Sequence, residues 1–513
     1  MIRGPWIIVV LLLAAAEGIF AYRPIWDADI FWHVELGRYM VEHRAFLRED
    51  VFSAIDPTRP TASLQWLYEV LVAVLDGAGG LHLVRVFHVA AAVISVPVLF
   101  WVFRKHERLP AAVAVALVVV YMMTFSDRLR LRPDALTPVL WALSLVPLAK
   151  SPAELDRRDA ILAFLLTFVW SCVHAGVGGL IYPVAALAVP AGALFGGLRS
   201  LRPAAIWYSG VLAGAALAPE AVLGNVRHLL RFESSGSTAP EWAPTWSVLI
   251  DPTHPTQVLN AAFAGFVLLG AVASAFGLAR KRMKARAIDP GAAARLLFAV
   301  ALLMLALGAY RFVSLAVFAA AALCVDAPRR FARLSMRRLV AGLAVLVFAL
   351  TAHANTLHVY GSLRDLAIRL GERDPVIRRK FPVAHADFLE RTGFEGRVFA
   401  QPDWGAYLLY RLYPRVRVIS DGRASHSPEV TADLLVTSSS ETFALPESGP
   451  ALERIYSKYP VEAIVHQHLV WPDGYRPSSR FVRVFSDRFG AVWIRADTAG
   501  GRAYLERLGG LRD

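Results

Sequence analysis

Charged residues are scarce in this sequence. Only 19% of its 513 residues are Asp, Glu, Lys or Arg, whereas 56% are hydrophobic. A soluble globular domain carries about 25% charged residues, so this balance excludes an ordinary soluble protein of this length. The composition predicts a polytopic membrane protein instead.

Cysteine is nearly absent as well. The two cysteines, Cys172 and Cys324, both fall within hydrophobic runs, so the sequence gives no sign of a disulfide framework, a zinc site or a thiol nucleophile. It also contains no Walker loop, no GxSxG elbow, no HExxH helix and no paired CxxC. Nucleotide hydrolysis, serine hydrolysis and zinc proteolysis therefore lack their usual signatures.

What the sequence does contain is a series of apolar runs suited to membrane spans. A spanning helix needs about 20 mainly apolar residues, and fewer when it is buried in a bundle. On this basis we predict about eleven transmembrane helices. They cover residues 5–22, 81–103, 110–125, 135–149, 160–173, 177–195, 204–218, 259–278, 296–307, 312–325 and 339–352.

The basic residues predict the orientation of these spans. The formal net charge is +13, and Lys and Arg collect in alternate short loops at 104–108, 150–158, 199–202, 280–295 and 329–338. The positive-inside rule makes these loops cytoplasmic, so the basicity is a topology signal and we expect no nucleic-acid partner. The N-terminus is then cytoplasmic, the first apolar segment is an uncleaved span rather than a signal peptide, and the chain after residue 352 is extracytoplasmic.

The predicted organisation has two domains. Residues 1–352 form a transmembrane domain with two long outer loops, 23–80 and 219–258. In the first loop, apolar residues repeat at helical spacing over 30–41 and over 64–75, and the second run suits a helix lying in the membrane interface. Residues 353–513 form a soluble α/β domain, with strands near 398–400, 416–420, 463–466, 481–485 and 491–495 and helices near 404–413 and 451–459.

Two carboxylates stand out directly after the first apolar run, in the stretch YRPIWDADIFWH. Asp27 and Asp29 follow Pro24 in a predicted loop, which can direct both side chains at one divalent metal ion or one acceptor hydroxyl. A half-buried carboxylate beside tryptophans can also act as a general base. The alternative is that one aspartate caps the helix that begins near Ile30. We expect one of the pair to cap and the other to function.

An arginine cluster lies on the side that should be poor in positive charge. Arg128, Arg130 and Arg132 belong to the stretch SDRLRLRPD, which we place outside. Guanidinium groups at headgroup depth are suited to a lipid phosphate, because their fork binds two oxygens. Arg311, in another outer turn, suggests the same role. Snorkelling to ordinary phospholipids is the alternative.

Further candidates for substrate contact lie at other predicted outer positions. Glu241 and Trp242 pair a carboxylate with a ring that can stack on a sugar, although an aromatic-belt residue explains Trp242 equally well. His174 and His33 can hydrogen-bond a substrate, but a buried histidine satisfied by its neighbours is the simpler interpretation. In the tail, the motif SDGR at 420–423 follows a predicted strand, where α/β sheets usually form their crevices, and a simple Asp-Gly turn is the slightly preferred alternative.

The motifs together resemble a known superfamily. WDADIFWH, DVFS, RLRLRPD, the His174 segment, Glu241 with Trp242, DWGAYL and SDGR are similar to the pattern of a large group of bacterial multi-pass proteins that look like GT-C glycosyltransferases. The group's pattern has proline where this chain has Ala28 and tryptophan where it has Phe31. The resemblance implies a GT-C-like transmembrane domain in which Asp27 and Asp29 are the acidic pair of the first outer loop.

What the resemblance implies about function is specific. The protein is expected to be an enzyme of the bacterial cytoplasmic membrane that transfers a sugar, with inversion, from a polyprenyl-phosphate-linked donor to an extracytoplasmic glycan, lipid or protein. The tail would guide the acceptor, and Mg²⁺ or Mn²⁺ bound by the acidic pair is compatible with the motif without being required by it. The alternatives are a transporter or flippase of a lipid-linked saccharide, and a non-catalytic envelope assembly protein.

Overall fold

The computed structural model describes most of the chain. The described residues are 4–22, 24–55, 57–106, 108–125, 128–219, 222–224, 244–245, 247, 255–285, 288–324, 376–378, 380–423, 456–459, 461–468, 477 and 479–510. Their contacts divide the chain into two compact units. The first comprises Met1–Arg23 and Val86–Glu372, and the second comprises Pro24–Arg85 and Arg373–Asp513.

The first unit is built from apolar helices. They are α1 (Gly4–Ala21), the later part of α3 (Trp66–Lys105), α4 (Ala111–Phe125), α5 (Thr137–Leu145), α6 (Arg157–Val173), α7 (Tyr182–Ala186), α8 (Ala188–Ala193), α9 (Leu198–Ala216), α10 (Pro255–Ala285), α11 (Pro290–Gly308) and α12 (Leu315–Cys324). Helix α2 lies in the second unit. A π-helical stretch at Val177–Ile181 precedes α7.

Three helical stretches in the described residues are long and apolar enough to cross a membrane, namely Trp66–Lys105, Val177–Gly196 and Pro290–Gly308. Shorter apolar helices include Ala111–Phe125 and Leu315–Cys324. These findings support a membrane location, but they do not confirm the predicted count of about eleven spans. The predicted segments up to residue 325 each overlap a helix, whereas 339–352 lies outside the described residues.

Close packing within the first unit depends on small residues. Gly210 and Gly214 are four positions apart on α9, and a Cβ at either would overlap the backbone of α6, at the Ala160 and Phe164 carbonyl oxygens. Close backbone approach through a GxxxG pattern is a common way for apolar helices to associate in a bilayer. The packing is completed by Trp141, whose ring meets Trp170 edge to face at 4.8 Å between centroids.

The second unit combines the first outer loop with the C-terminal tail. Its helices are α2 (Asp29–His43), the start of α3, α13 (Val383–Arg391), α14 (Pro402–Leu412) and α15 (Ala499–Gly510). Five strands, β1 (Gly396–Ala400), β2 (Val416–Val418), β3 (Ala463–Gln467), β4 (Phe481–Ser486) and β5 (Gly490–Arg495), form one sheet in the order β2-β1-β3-β5-β4. Strand β1 is parallel to β2 and β3, and β5 is antiparallel to β3 and β4. The predicted α/β character of the tail is confirmed.

The first outer loop is hydrogen-bonded to the tail. Ser53 forms a parallel bridge with Val418 of β2, and the Ala54 N–H donates to the Val418 carbonyl at 2.9 Å. Near the start of the loop, the Ile377 N–H donates to the Ile25 carbonyl at 3.2 Å. Loop and tail therefore share backbone pairing as well as a core. The predicted domain boundary near residue 352 lies outside the described residues and stays a prediction.

The predicted change from a loop helix to a span falls at a glycine pair. Helix α3 is interrupted at Gly79 (φ −154°) and Gly80 (φ 65°), the second of which has a left-handed conformation that favours glycine. The amphipathic run at 64–75 thus occupies the segment before the kink, and the apolar run at 81–103 occupies the segment after it. A position of the first segment in the membrane interface stays a prediction.

We predict that Gly37→Ala destabilises the second unit. Gly37 of α2 lies against the start of α3, where an added Cβ would overlap the Glu69 carbonyl oxygen, so the two helices must separate. Overpacking of this kind costs about 1–3 kcal/mol. The thermal midpoint of the purified protein in detergent should fall accordingly.

The matched control is Gly77→Ala. A Cβ at Gly77 meets nothing within 4 Å, so this helical substitution should be neutral or slightly stabilising. Equal midpoints for the two variants would show that α2 and α3 do not approach each other this closely.

Candidate functional site

The acidic pair begins helix α2. Asp27 is 5% exposed, and its Oδ1 accepts a hydrogen bond from the Asp29 N–H at 3.1 Å. Asp29 is the first helical residue, is half-buried, and accepts a hydrogen bond from Trp32 Nε1 at 3.4 Å. A carboxylate at this position is favoured by the positive end of the helix dipole. The N-cap residue is Ala28, Asp27 accepts the first N–H of the helix from the position before it, and Asp29 is the more accessible carboxylate.

His33 lies on the face of α2 that meets α3. Its side chain is 2% exposed, and its Nδ1 lies 3.4 Å from Glu69 Oε1. The ring is tilted by 38° against that of Trp32 at 3.6 Å between centroids and meets Tyr68 edge to face at 5.0 Å. This environment matches a packed histidine held by a carboxylate, and the predicted substrate contact of His33 is untested.

An ionic cluster of two buried carboxylates and a partly exposed arginine occupies another face of α2. Arg38 donates to Glu35 Oε2 at 2.9 Å and to Asp76 Oδ2 of α3 at 2.5 Å. It also donates to the Tyr410 carbonyl of α14 at 3.2 Å, and its guanidinium lies 4.7 Å from the centre of the Tyr410 ring. The Tyr410 hydroxyl in turn donates to Asp76 Oδ1 at 3.1 Å. Three separate stretches of chain meet at this one guanidinium.

Burial changes the acidity of this cluster. Desolvation raises the pKa of Glu35 from 4.5 to about 7, and the nearby Glu42 and Asp76 carboxylates add to the rise. The Arg38 guanidinium opposes it without cancelling it. Burial also raises the pKa of Tyr410, and the charge on Asp76 acts in the same direction. Glu35 is therefore a carboxyl group that changes charge near neutral pH.

The DVFS and SDGR motifs meet each other. Arg423 donates to Asp421 Oδ2 through Nε at 2.8 Å, and its guanidinium lies 2.9 Å from Asp50 Oδ1. Asp50 and Asp421 are 1% and 3% exposed, so this is a buried ion pair that joins the loop to the tail. In the DWGAYL motif, a Cβ at Gly405 would overlap the Ser420 carbonyl oxygen. Packing and charge position these motifs. SDGR therefore forms contacts with other segments in addition to the simple turn expected from the sequence.

The arginine cluster belongs to the first unit. Leu129 and Leu131 are buried, whereas Arg128, Arg130 and Arg132 are partly exposed, so apolar and basic side chains alternate along the segment. Consecutive tight turns produce this alternation, since the Arg130 N–H donates to the Arg128 carbonyl at 2.7 Å and the Arg132 N–H to the Arg130 carbonyl at 2.8 Å. Arg128 also pairs with Asp134 at 3.8 Å.

A pocket of about 50 Å³ opens beside this cluster. The end of α4, the start of α5, the end of α6 and the start of α12 contribute to it. Its aromatic lining is Phe125, Trp141, Phe312 and Phe318, and its polar lining is Arg128, Asp134, Thr137, His174 and Ser314. Arg128 and Arg130 also line a smaller cavity with His88 and Tyr121. The larger pocket thus combines a cation and hydrogen-bonding groups with aromatic walls.

The other predicted contact residues have different outcomes. His174 lines the pocket at the C-terminal end of α6. Its Nδ1 is hydrogen-bonded to Thr137 Oγ1 at 2.8 Å. Arg311 lies in the turn Tyr310–Phe312, and its side chain is outside the described part of the structure. Glu241 and Trp242 also lie outside the described residues. None of these roles is tested by the geometry.

A metal ion would depend on few protein ligands. Within the described residues, no group of three or more His, Cys, Asp or Glu side chains is arranged to hold a metal. One oxygen of Asp27 accepts from the Asp29 N–H and one oxygen of Asp29 accepts from Trp32 Nε1, so each carboxylate already accepts a hydrogen bond. The predicted Mg²⁺ or Mn²⁺ stays untested.

Comparison with known proteins identifies the fold. No protein-family model and no curated protein matches the chain. The apo oligosaccharyltransferase of Archaeoglobus fulgidus is 13% identical with a TM-score of 0.55, over 95% of this chain and 74% of its own. ArnT from Cupriavidus metallidurans, bound to undecaprenyl phosphate, is 14% identical with a TM-score of 0.52, over 96% of this chain and 98% of its own. The chain has the GT-C fold.

The GT-C resemblance seen in the sequence is thereby confirmed at the level of the fold. Sequence reasoning missed Glu35, Arg38 and Asp76, which lie in amphipathic helices where charged residues are expected to face solvent. One signal was available: Glu35 and Arg38 are three positions apart, a spacing that places them side by side on a helix. The partners Asp76 and Tyr410 are too distant in sequence for any such signal.

We predict that Glu35→Gln changes the pH dependence of stability. Because the folded-state pKa of Glu35 is raised, its favourable contribution is present below about pH 4.5 and is lost as the pH rises through about 7. Glutamine does not titrate, so the thermal midpoint of the variant should rise relative to wild type between pH 5 and pH 8. The change corresponds to about 3 kcal/mol at most.

The groups that face Glu35 are Arg38 and Glu42 on its own helix, Asp76 on α3, and Tyr413 beyond α14. None of these is altered by the substitution. Glu49→Gln, at an exposed glutamate of the same loop, is the control and should leave the pH profile parallel to wild type. A parallel profile for Glu35→Gln as well would contradict the shifted pKa.

Proposed function

We propose that this GT-C chain is a membrane glycosyltransferase that uses a polyprenyl-phosphate-linked sugar and an extracytoplasmic acceptor. The observation that carries the proposal is the likeness to ArnT over 96% of this chain and 98% of ArnT, together with the undecaprenyl phosphate bound in that structure. Similarity to an oligosaccharyltransferase over 95% of the chain supports the same reaction class. The name of the second protein denotes transfer of an oligosaccharide.

In the proposed reaction Asp29 is the general base. An acceptor hydroxyl attacks the anomeric carbon, its proton passes to the Asp29 carboxylate, and the bond from the anomeric carbon to the phosphate oxygen breaks. Polyprenyl phosphate leaves with the bonding electron pair, and attack opposite to it inverts the anomeric centre. The half-buried position of Asp29 supports this role, and the hydrogen bond from its N–H to Asp27 fixes the start of the helix that carries it.

The lipid phosphate is assigned to the arginine cluster. Arg128 is 12% exposed and lines a pocket with aromatic walls, a setting in which a guanidinium can bind two phosphate oxygens while the rings contact apolar groups. We therefore propose Arg128 as a residue that binds the phosphate of the lipid-linked donor. If Mg²⁺ or Mn²⁺ is bound, Asp29 would be among its ligands, and the ion would supply positive charge that lowers the pKa of a bound hydroxyl.

A flippase for a lipid-linked saccharide is the second candidate. One observation favours it: Glu17 lies within α1 and is fully buried at 0% exposure. Ionisable side chains buried in a transmembrane bundle often mark a transport path. Sugar transfer and lipid translocation can be measured separately in proteoliposomes, so the two functions are distinguishable.

We predict that the two aspartates are unequal in catalysis. Asp29→Asn should lower the kcat of sugar transfer from a polyprenyl-phosphate donor by about 10²–10⁴-fold, since it removes a general base. Asp27→Asn retains an oxygen that can accept the Asp29 N–H, so its kcat should fall about 10-fold or less. The measurement is radiolabelled sugar transfer by purified protein in liposomes.

The exposed Glu49→Gln serves as the carboxylate control in this assay. Retention of normal transfer by Asp29→Asn would refute the proposed base. Equal and large losses for both aspartates would instead show that the charge on Asp27 is also required, as expected when both carboxylates bind one metal ion.

We also predict that Arg128→Gln weakens use of the lipid-linked donor. Loss of a guanidinium that binds phosphate should raise the KM for the donor by about 10-fold or more, since hydrogen bonds between charged groups contribute about 1.5–3 kcal/mol. Arg199→Gln, at an exposed arginine of a predicted cytoplasmic loop, should leave KM unchanged. An unchanged KM for Arg128→Gln would remove this residue from the donor site.

A further inference from the structure

Helix α2 presents one face to the C-terminal tail. Phe31, Glu35 and Arg38 recur at intervals of four and three residues, which places them along one side of the helix. This side contacts the tail through Phe31 and Arg38. The acidic residue Asp29 is two positions before Phe31 on the same helix. Any movement of α2 on the tail therefore moves Asp29 as well.

Phe31 is enclosed by aromatic residues of the tail. It is 0% exposed, and its ring meets Phe381 at 4.9 Å and Tyr407 at 5.0 Å between centroids, both nearly edge to face at 84°. Tyr410 lies 5.5 Å away on the same side. Edge-to-face contacts restrict how a ring can turn or slide, so they set the orientation of the helix as well as its burial.

Arg38 fixes the same helix seven residues further on. Its guanidinium donates to Glu35, to Asp76 and to the Tyr410 carbonyl, while the Tyr410 hydroxyl donates to Asp76. A planar guanidinium with several partners in different directions tolerates little displacement. The contacts at Phe31 and Arg38 together define both the tilt and the rotation of α2 against the tail.

A separate contact holds the far end of the same loop. Arg423 joins Asp50 to Asp421, and Ser53 pairs with Val418 at the edge of the sheet. The loop is thus attached to the tail before, along and after α2. Such repeated attachment exceeds what is needed to cover an apolar helix.

We infer that the C-terminal tail positions the acidic start of α2 for catalysis, and that Phe31, Arg38 and Tyr410 are positioning residues for Asp29. This inference rests on the proposed function and assigns the tail a role in the reaction itself, in addition to the acceptor guidance expected from the sequence. Displacement of a reacting group by about 1 Å can lower a rate by about 10²-fold. The contacts at Phe31 and Arg38 are suited to prevent such displacement.

The test compares Arg38→Lys and Tyr410→Phe with wild type. Lysine keeps the charge but loses the planar fork, and phenylalanine keeps the ring but loses the hydrogen bond to Asp76. For each variant kcat of sugar transfer should fall about 10-fold or more, while the KM for the lipid-linked donor stays within about 2-fold of wild type. Arg495→Lys is the matched control, because Arg495 pairs with Asp497 elsewhere in the tail. This variant should leave both kcat and KM unchanged.

Hydrogen exchange of the full-length protein in liposomes supplies a readout that does not depend on activity. The amides of residues 25–34 should exchange faster in both variants, while those of α6 and of strands β1 and β3 exchange as in wild type. A general rise in exchange across the sheet would show that the substitutions destabilise the whole unit, and this would overturn a specific positioning role.

The outcomes separate the inference from the proposed function. If the wild-type protein transfers no sugar from a lipid-linked donor, then the proposed function fails, whatever the exchange data show. If wild type is active and the two variants retain wild-type kcat, then the proposed function stands and the positioning role is wrong. A fall in kcat with an unchanged KM, together with faster exchange confined to residues 25–34, supports the inference.

Discussion

The packing of helix α2 against α3 and the C-terminal tail is the constraint on which the second unit depends. A helix of 15 residues is marginally stable by itself in water, so packing must supply most of its stability. One face of α2 meets α3 through Gly37 and His33, and another meets the tail through Phe31 and Arg38. Because both faces are occupied, the helix has a defined direction, and the acidic pair at its start has a defined position in the unit.

Charged side chains take part in the packing of α2. Burial of the Glu35 and Asp76 carboxylates carries a desolvation cost that is offset only when the partly exposed Arg38 is correctly placed. An ion cluster of this kind adds less to stability than an apolar contact of similar size, but it penalises every alternative register of α2. The buried pair of Arg423 with Asp50 applies the same restriction to the end of the loop. Specific orientation is the expected benefit.

The two units contain different chemical groups. The second unit contains accessible carboxylate oxygen at Asp29, and the first contains a guanidinium at Arg128 within an aromatic pocket. Deprotonation of an acceptor and stabilisation of a leaving phosphate are the two requirements of sugar transfer from a lipid phosphate.

The sequence alone determined which segments are apolar, where most helices and strands of the described residues lie, and which superfamily the motifs resemble. Each of these depends on local periodicity or composition, which adjacent residues encode. Only the tertiary structure decided that Asp27 is buried while Asp29 is more accessible, that DVFS pairs with SDGR, and that Arg38 joins three stretches of chain. Those outcomes depend on contacts such as Arg38 with Tyr410, which are far apart in sequence and arise only when separate elements pack together.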